Sequence, residues 1–325
     1  MSGHDSREPA ARGGDPRGPT AGGAGLRGPA AGGGDSRTPA AVGGGLRARS
    51  FVWMQHLLPQ HGMSRSVLWA TRVRSPWFKN WLIRGFLKLF PVEMDEAVQP
   101  DPYRYATFNE FFTRPLRSDA RPIAAGADHI ACPVDGRVSE CGTIEGDSLL
   151  QAKGRHYTLA ELLAHQPWAA RFAGGSFATL YLAPFNYHRI HMPADGRLLD
   201  TVYVPGRLFS VNDATAQRVP RLFARNERVL TLFDGGFGAF AVVLVGALNV
   251  GSIATVWAGD VTPAARRVVT RIPSPGITLA KGAELGRFNM GSTVILLFEA
   301  RRAAWHPALR AGSAVRLGQS LGRLA

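Results

Sequence analysis

Hydrophobic and polar positions change period along the chain. From Trp77 to Phe90 the residues Phe78, Leu82, Ile83, Phe86, Leu89 and Phe90 share one arc of a helical wheel, and Arg84 and Lys88 lie off it. That spacing predicts an amphipathic helix. Beyond residue 100 the apolar residues come in short runs instead: Ile130–Val138, Phe177–Leu182, Leu198–Val204, Val229–Phe233, Ala239–Val245, Ser252–Val256 and Val294–Phe298. Gly, Pro and Asp-Gly punctuate them, so they read as strands. Asp135-Gly136, Asp195-Gly196 and Asp234-Gly235 read as turns. Thr107–Arg117 and Thr158–His165 read as short helices. The expected fold class is α+β, a mainly antiparallel β core carrying an N-terminal helical extension.

Residues 1–50 show neither period. They hold fourteen Gly, and Arg7, Arg17, Arg27, Arg37 and Arg47 mark a ten-residue repeat. No repeat has enough apolar area to offset chain entropy, so a disordered tail is expected. Three parts follow: the tail at 1–50, amphipathic helices at 51–100, and a catalytic domain at 101–325.

Composition sharpens the middle part. Residues 51–90 hold four of the seven Trp, six Lys or Arg, and no Asp or Glu. That is the pattern of an interfacial helix on anionic lipid, with Trp77, Lys79, Trp81, Arg84 and Lys88 as the expected membrane-binding residues. A helix packed on its own domain with a solvated basic face fits the same pattern. The whole chain has a formal net charge of +14, which calls for an anionic partner. No motif of a nucleic-acid-binding module accompanies the charge, so nucleic acid is not expected. No apolar run reaches the ~18 residues of a transmembrane helix. Cys132 and Cys141 are too few for a disulfide framework, and no Cys/His cluster suggests a metal.

Three segments carry candidate chemistry. Gly-Ser occurs at 175–176, 251–252, 291–292 and 312–313, and only the third is followed by Thr and a strong strand, Val294–Phe298. None of the four is the GxSxG elbow of α/β-hydrolases. His188 and His191 stand in Tyr187-His188-Arg189-Ile190-His191-Met192-Pro193, open to acid–base, metal or purely structural roles. Asp135 stands in Pro133-Val134-Asp135-Gly136, where a turn aspartate capping its own backbone is the plain alternative.

Together these segments resemble the phosphatidylserine decarboxylase family of bacterial type. The resemblance also rests on Phe108-Asn109-Glu110-Phe111-Phe112, Pro205-Gly206-Arg207-Leu208-Phe209-Ser210-Val211-Asn212, Phe223-Ala224-Arg225-Asn226-Glu227-Arg228, Val245-Gly246-Ala247, Val250-Gly251-Ser252-Ile253 and Gly291-Ser292-Thr293. It runs from about Leu57 to near the C-terminus. Met290 stands where the family usually has Leu, a nearly volume-conserving exchange.

The resemblance implies that Asp135, His191 and Ser292 form a self-cleavage triad. His191 would take the Ser292 proton, and Asp135 would orient that imidazole. Attack of Oγ on the Gly291 carbonyl would give an ester. β-Elimination would then release a chain ending at Gly291, and hydrolysis of the remaining dehydroalanine with loss of ammonia would leave a pyruvoyl group on a 34-residue chain, 292–325. That covalent pyruvoyl group is the implied cofactor. Phosphatidylserine would join it as an imine, lose CO2, and leave as phosphatidylethanolamine, with His188 as proton donor. The implied partners are phosphatidylserine in an anionic membrane and the two chains of one precursor. A homodimer is left open, and the implied location is peripheral, on the cytoplasmic face of the cell membrane. Two rivals stand beside this reading. One is a serine hydrolase using Ser292, His191 and Asp135. The other is a non-catalytic lipoyl-like module, suggested by Pro133–Val138 and Gly312–Gln319, which hints at a barrel-sandwich-like core.

Overall fold

The computed structural model describes residues 55, 60–152, 154–248, 252–262, 268–274, 276–289 and 292–325. The expected tail at 1–50, and Gly291, lie outside the described residues.

A nine-stranded sheet forms the centre. Its strands run in the order Thr270–Ile272, Gly196–Val204, Arg228–Asp234, Ala239–Val245, Thr293–Phe298, Ser176–Tyr181, Gly136–Thr143 and Ala314–Val315, and Thr278–Leu279 also pairs with Gly196–Val204. All of these pairings are antiparallel. Thr293–Phe298 sits in the middle, between Ala239–Val245 and Ser176–Tyr181. Ile295 and Leu297 face a core with Phe209, Leu222 and Phe223, while Val294, Leu296 and Phe298 face another with Ile190, Met192 and Phe288. Burial on both faces is why these strands read as unbroken apolar runs rather than as alternation.

A four-stranded antiparallel sheet, in the order Gly259–Asp260, Ile253–Thr255, Glu284–Phe288 and Arg189–His191, stands beside the first. It brings the two histidines next to the segment that leads into Ser292. The expected strand Ile130–Val138 is two strands, His129–Ala131 and Gly136–Thr143, with a bend at Val134 and Asp135. Pro133 between them has no N–H to offer a ladder. Gly136 is required where the second strand starts, because a Cβ there would run into the Tyr181 carbonyl.

Two helices precede the sheets, α1 (Gln60–Thr71) and α2 (Pro76–Leu89). Ile83 is fully buried, and Leu82 and Phe86 pack beside it on Tyr105 and on Phe108, Phe111 and Phe112 of α3 (Phe108–Phe112). Much of the apolar arc therefore covers the protein itself. Lys79 corrects the expectation of lipid contact. It is buried, and its Nζ donates to Asn80 Oδ1 at 2.6 Å and to the Tyr103 carbonyl at 2.7 Å. Trp77, Trp81, Arg84 and Lys88 form the opposite stripe, at steps of four, three and four residues, and all four are exposed. Trp77 is 78 % exposed and Trp81 61 %, which is unusual for the largest apolar side chain. Among the described residues no helix is long and apolar enough to cross a membrane.

Candidate active site

Ser292 stands immediately before the central strand. Its carbonyl accepts from Leu182 N at 2.9 Å, which fixes the residue against the neighbouring strand. The side chain is fully buried, and Oγ has no hydrogen-bond partner. Buried polar atoms are rarely left unpaired, and an exception asks for a functional reason.

The segment ahead of Ser292 is held by a polar cluster. Asn289 donates from Nδ2 to Ser252 Oγ and, at 3.2 Å, to Asp260 Oδ1. Its Oδ1 accepts from Asn109 Nδ2 of α3 at 3.1 Å. Ser252 in turn donates to Asp260 Oδ1 at 3.1 Å. Arg72 at the end of α1 reaches the other oxygen of Asp260 at 2.6 Å. Arg72 after α1 and Asn109 of α3 therefore both tie into the polar cluster ahead of the expected cut.

His188 and His191 differ in environment. Nδ1 of His188 lies 2.7 Å from the Asn186 carbonyl, so that nitrogen carries the proton and Nε2 the lone pair. Nε2 is buried without a partner, and the ring packs on Phe112 with centroids 4.2 Å apart. Burial, with Arg114 nearby, pushes the imidazole down to about 3. His191 is held differently. Nδ1 donates to the Gly282 carbonyl at 2.7 Å, and Nε2 accepts from the Tyr187 hydroxyl at 3.1 Å. Burial lowers its proton affinity too, but the Gly282 carbonyl and the charges of Glu284 and Asp135 work the other way.

Asp135 does not orient His191 as expected, because the Gly282 carbonyl takes that place. Asp135 instead accepts from Arg121 Nη2 at 2.7 Å and Nε at 3.0 Å, and from Leu317 N at 2.8 Å. Arg121 also reaches Glu96 at 2.7 Å. Burial works against the Arg121 cation, but these hydrogen bonds outweigh it and hold the guanidinium firmly charged. The charge of Asp135 favours the His191 imidazolium, though less than that of Glu284 does, and the C-terminal segment holds Asp135 in place through Leu317 N.

Sequence reading passed over Asn289, Asp260 and Arg121. Asp260 and Arg121 lie in no motif, and only the fold brings them to the site. Among the described residues no cluster of His, Cys, Asp and Glu is arranged to hold a metal. The site does fit a pyruvoyl group made from Ser292. The Oγ of Ser292 and Nε2 of His188 are both buried without a hydrogen-bond partner, so neither atom is committed to a hydrogen bond of the fold.

Comparison with known proteins gives the same reading. A family model described as phosphatidylserine decarboxylase matches residues 108–323, and a second, described as PSD, matches residues 50–91. A phosphatidylserine decarboxylase proenzyme of Methylococcus capsulatus is 50% identical over 275 residues, covering 84% of this chain and 96% of its own. The proenzyme of Alkalilimnicola ehrlichii is 53% identical over 250 residues, covering 76% of this chain and 87% of its own. That of Pseudomonas putida strain W619 is 51% identical over 281 residues, covering 85% and 98%. With the helical extension and the β core both matched, this chain belongs to the phosphatidylserine decarboxylase family.

Proposed function

We propose that the chain is a proenzyme that cuts itself between Gly291 and Ser292 and then converts phosphatidylserine to phosphatidylethanolamine and CO2. The buried, unpartnered Oγ of Ser292 at the head of the central strand carries this reading.

Self-cleavage needs a base that can hold a positive charge once it has the Ser292 proton. His191 suits this better than His188, because Glu284 and Asp135 favour its imidazolium against the opposing charge of Arg189, whereas the charge acting on His188 is that of Arg114. The Tyr187 hydroxyl must leave Nε2 of His191 for the proton to arrive there. The hydroxyl of Ser292 then adds to the Gly291 carbonyl, the amide becomes an ester, and elimination separates the chains. The upstream and downstream products stay together, since Thr293–Phe298 is flanked on both sides by strands of the upstream chain.

The pyruvoyl group supplies a ketone that takes the substrate amine and accepts the electron pair left by CO2. His188 serves the second reaction. Its Nδ1 is fixed by Asn186, so Nε2 is the nitrogen that takes up a proton and returns it to the substrate carbon. Phe112 and the surrounding core keep water from that nitrogen. The imidazole stays neutral until an anionic substrate arrives beside it.

The exposed stripe of Trp77, Trp81, Arg84 and Lys88 supports peripheral docking on an anionic membrane, and the cytoplasmic face is part of the same proposal. The activity is tested by incubating purified protein with phosphatidylserine in detergent micelles. Phosphatidylethanolamine and CO2 should form in equal amounts, and borohydride, which reduces the ketone, should stop the reaction. Hydrolysis of simple esters without CO2 release would instead support a serine hydrolase.

A further inference from the structure

A cavity of about 460 Å³ opens beside the site, lined by Asp135, Asn186 and Tyr187 on one side and by Pro91 and Val92 on another. Pro91 and Val92 follow directly on α2, whose outer stripe carries Trp77, Trp81, Arg84 and Lys88. The cavity therefore lies between the segment that follows α2 and Asn186 and Tyr187, the residues just before His188. Its size is in the range of small-molecule sites.

Three guanidinium groups line this cavity, Arg114, Arg121 and Arg316. Arg121 is taken by Asp135 and Glu96, and Arg316 by Glu96 and Glu93. Arg114 is different. It is 4 % exposed, and its Nε is buried without a partner. Nothing among the described residues accepts a hydrogen bond from its guanidinium, which stands over the Phe111 ring at 6.0 Å. Burial weakens its hold on the proton; Asp135 and Glu96 act on it only through their charges, and among the described residues no carboxylate forms an ion pair with it. A buried arginine without a counter-ion is costly unless a ligand supplies one.

We propose that Arg114 binds the phosphodiester of the lipid headgroup, an assignment that rests on the decarboxylase reading above. The headgroup carries two anionic groups, and the chemistry separates them. A guanidinium on the carboxylate would stabilise the charge that the reaction removes, and so would favour the ground state over the transition state. The phosphodiester keeps its charge throughout. It also lies nearest the glycerol backbone, so it belongs near the mouth by Pro91 and Val92 while the serine end reaches toward His188. The forked N–H groups of arginine match phosphate oxygens, as a lysine ammonium does not.

The test uses Arg114→Gln and Arg114→Lys, each matured and assayed in detergent micelles. Charge-assisted hydrogen bonds are worth about 1.5–3 kcal/mol, so KM for phosphatidylserine should rise about 10- to 100-fold in the Gln variant, with kcat changed far less. The Lys variant should lie between. Glycerophosphoethanolamine, which has the phosphodiester and no carboxylate, should lose inhibition in the Gln variant by the same factor. Serine, which has the carboxylate and no phosphodiester, should inhibit both proteins alike. Calorimetry adds a readout without turnover. Glycerophosphoethanolamine should bind uncleaved Ser292→Ala protein and not its Arg114→Gln derivative. Loss of serine inhibition in place of glycerophosphoethanolamine inhibition would overturn the assignment. So would an unchanged KM, equal binding in the two calorimetric samples, or failure of both variants to self-cleave, which would make Arg114 structural. If wild-type protein releases no CO2 from phosphatidylserine, the decarboxylase reading itself falls.

Discussion

The Tyr187 hydroxyl donates to Nε2 of His191 at 3.1 Å, while Nε2 of His188, one residue after that tyrosine, is left bare. The proposed division of work between the two imidazoles rests on this difference. His191→Ala should stay as one chain on a denaturing gel, because Ser292 loses its base. His188→Ala should separate into two chains and yet decarboxylate about 10²- to 10⁴-fold more slowly, the usual worth of general acid–base help. Cleaved His191→Ala together with uncleaved His188→Ala would reverse the roles.

Asn289 should matter for cutting and little for the later reaction. It ties the chain just ahead of Met290 and Gly291 to Ser252, Asp260 and Asn109. A misplacement of about 1 Å can cost on the order of 100-fold in a reaction that depends on alignment. Asn289→Ala should therefore lengthen the half-time of self-cleavage by about 10- to 100-fold, measured on freshly synthesised protein. Unaltered cleavage kinetics would show that the cluster only supports the fold.

Acid should destabilise the uncleaved protein before it reaches the carboxylate range. Burial depresses His188 to about 3 and lowers His191 as well. Between the unfolded value, roughly 6.5, and the folded values, the unfolded chain binds more protons, so stability falls as pH falls. The slope should approach about 1.4 kcal/mol per pH unit from His188, with His191 adding in the same direction. Urea unfolding of Ser292→Ala at pH 7 and pH 5 measures it, and a second substitution, His188→Gln, should make the loss smaller. Equal stability at the two pH values would contradict the burial argument.

Membrane docking should divide between charge and insertion. Vesicles with anionic lipid should bind the protein better than neutral vesicles, and high salt should remove part of that binding. Changing Arg84 and Lys88 to Glu should abolish the preference for anionic vesicles, and Trp77→Ala with Trp81→Ala should weaken binding to both kinds. Lys79→Ala should lower stability without touching docking, since its ammonium faces Asn80 and Tyr103. Co-sedimentation separates these outcomes. Equal binding by all variants would leave α2 as an ordinary packed helix.

The core strands were legible because burial on both faces leaves long apolar runs, as in Ala239–Val245 and Thr293–Phe298. The hairpin Ser148–Ala152 with Arg155–Thr158 was not, since it is short and carries Gln151, Arg155 and His156 among its apolar positions. Helix α2 shows a different limit. A wheel finds an apolar arc, but it does not say that Ile83 and Phe86 face the protein while Trp77 and Trp81 face outward. At the site, Ser292, His188 and His191 were marked by their motifs. The Asp135 contact was misjudged, because its partner Arg121 is fourteen residues away and in no motif. Arg114 lies two residues past the Phe-rich α3, and only its buried, unpartnered Nε in the folded chain distinguishes it from the other arginines.

The central claim is that Ser292 cuts its own chain, and intact mass spectrometry tests it most directly. Purified wild-type protein should give two masses, one for a chain ending at Gly291 and one for residues 292–325 carrying a pyruvoyl group in place of serine. Ser292→Ala should give the single mass of the full chain. A single full-length mass for wild-type protein that nonetheless releases CO2 from phosphatidylserine, or two masses for Ser292→Ala, would contradict the account.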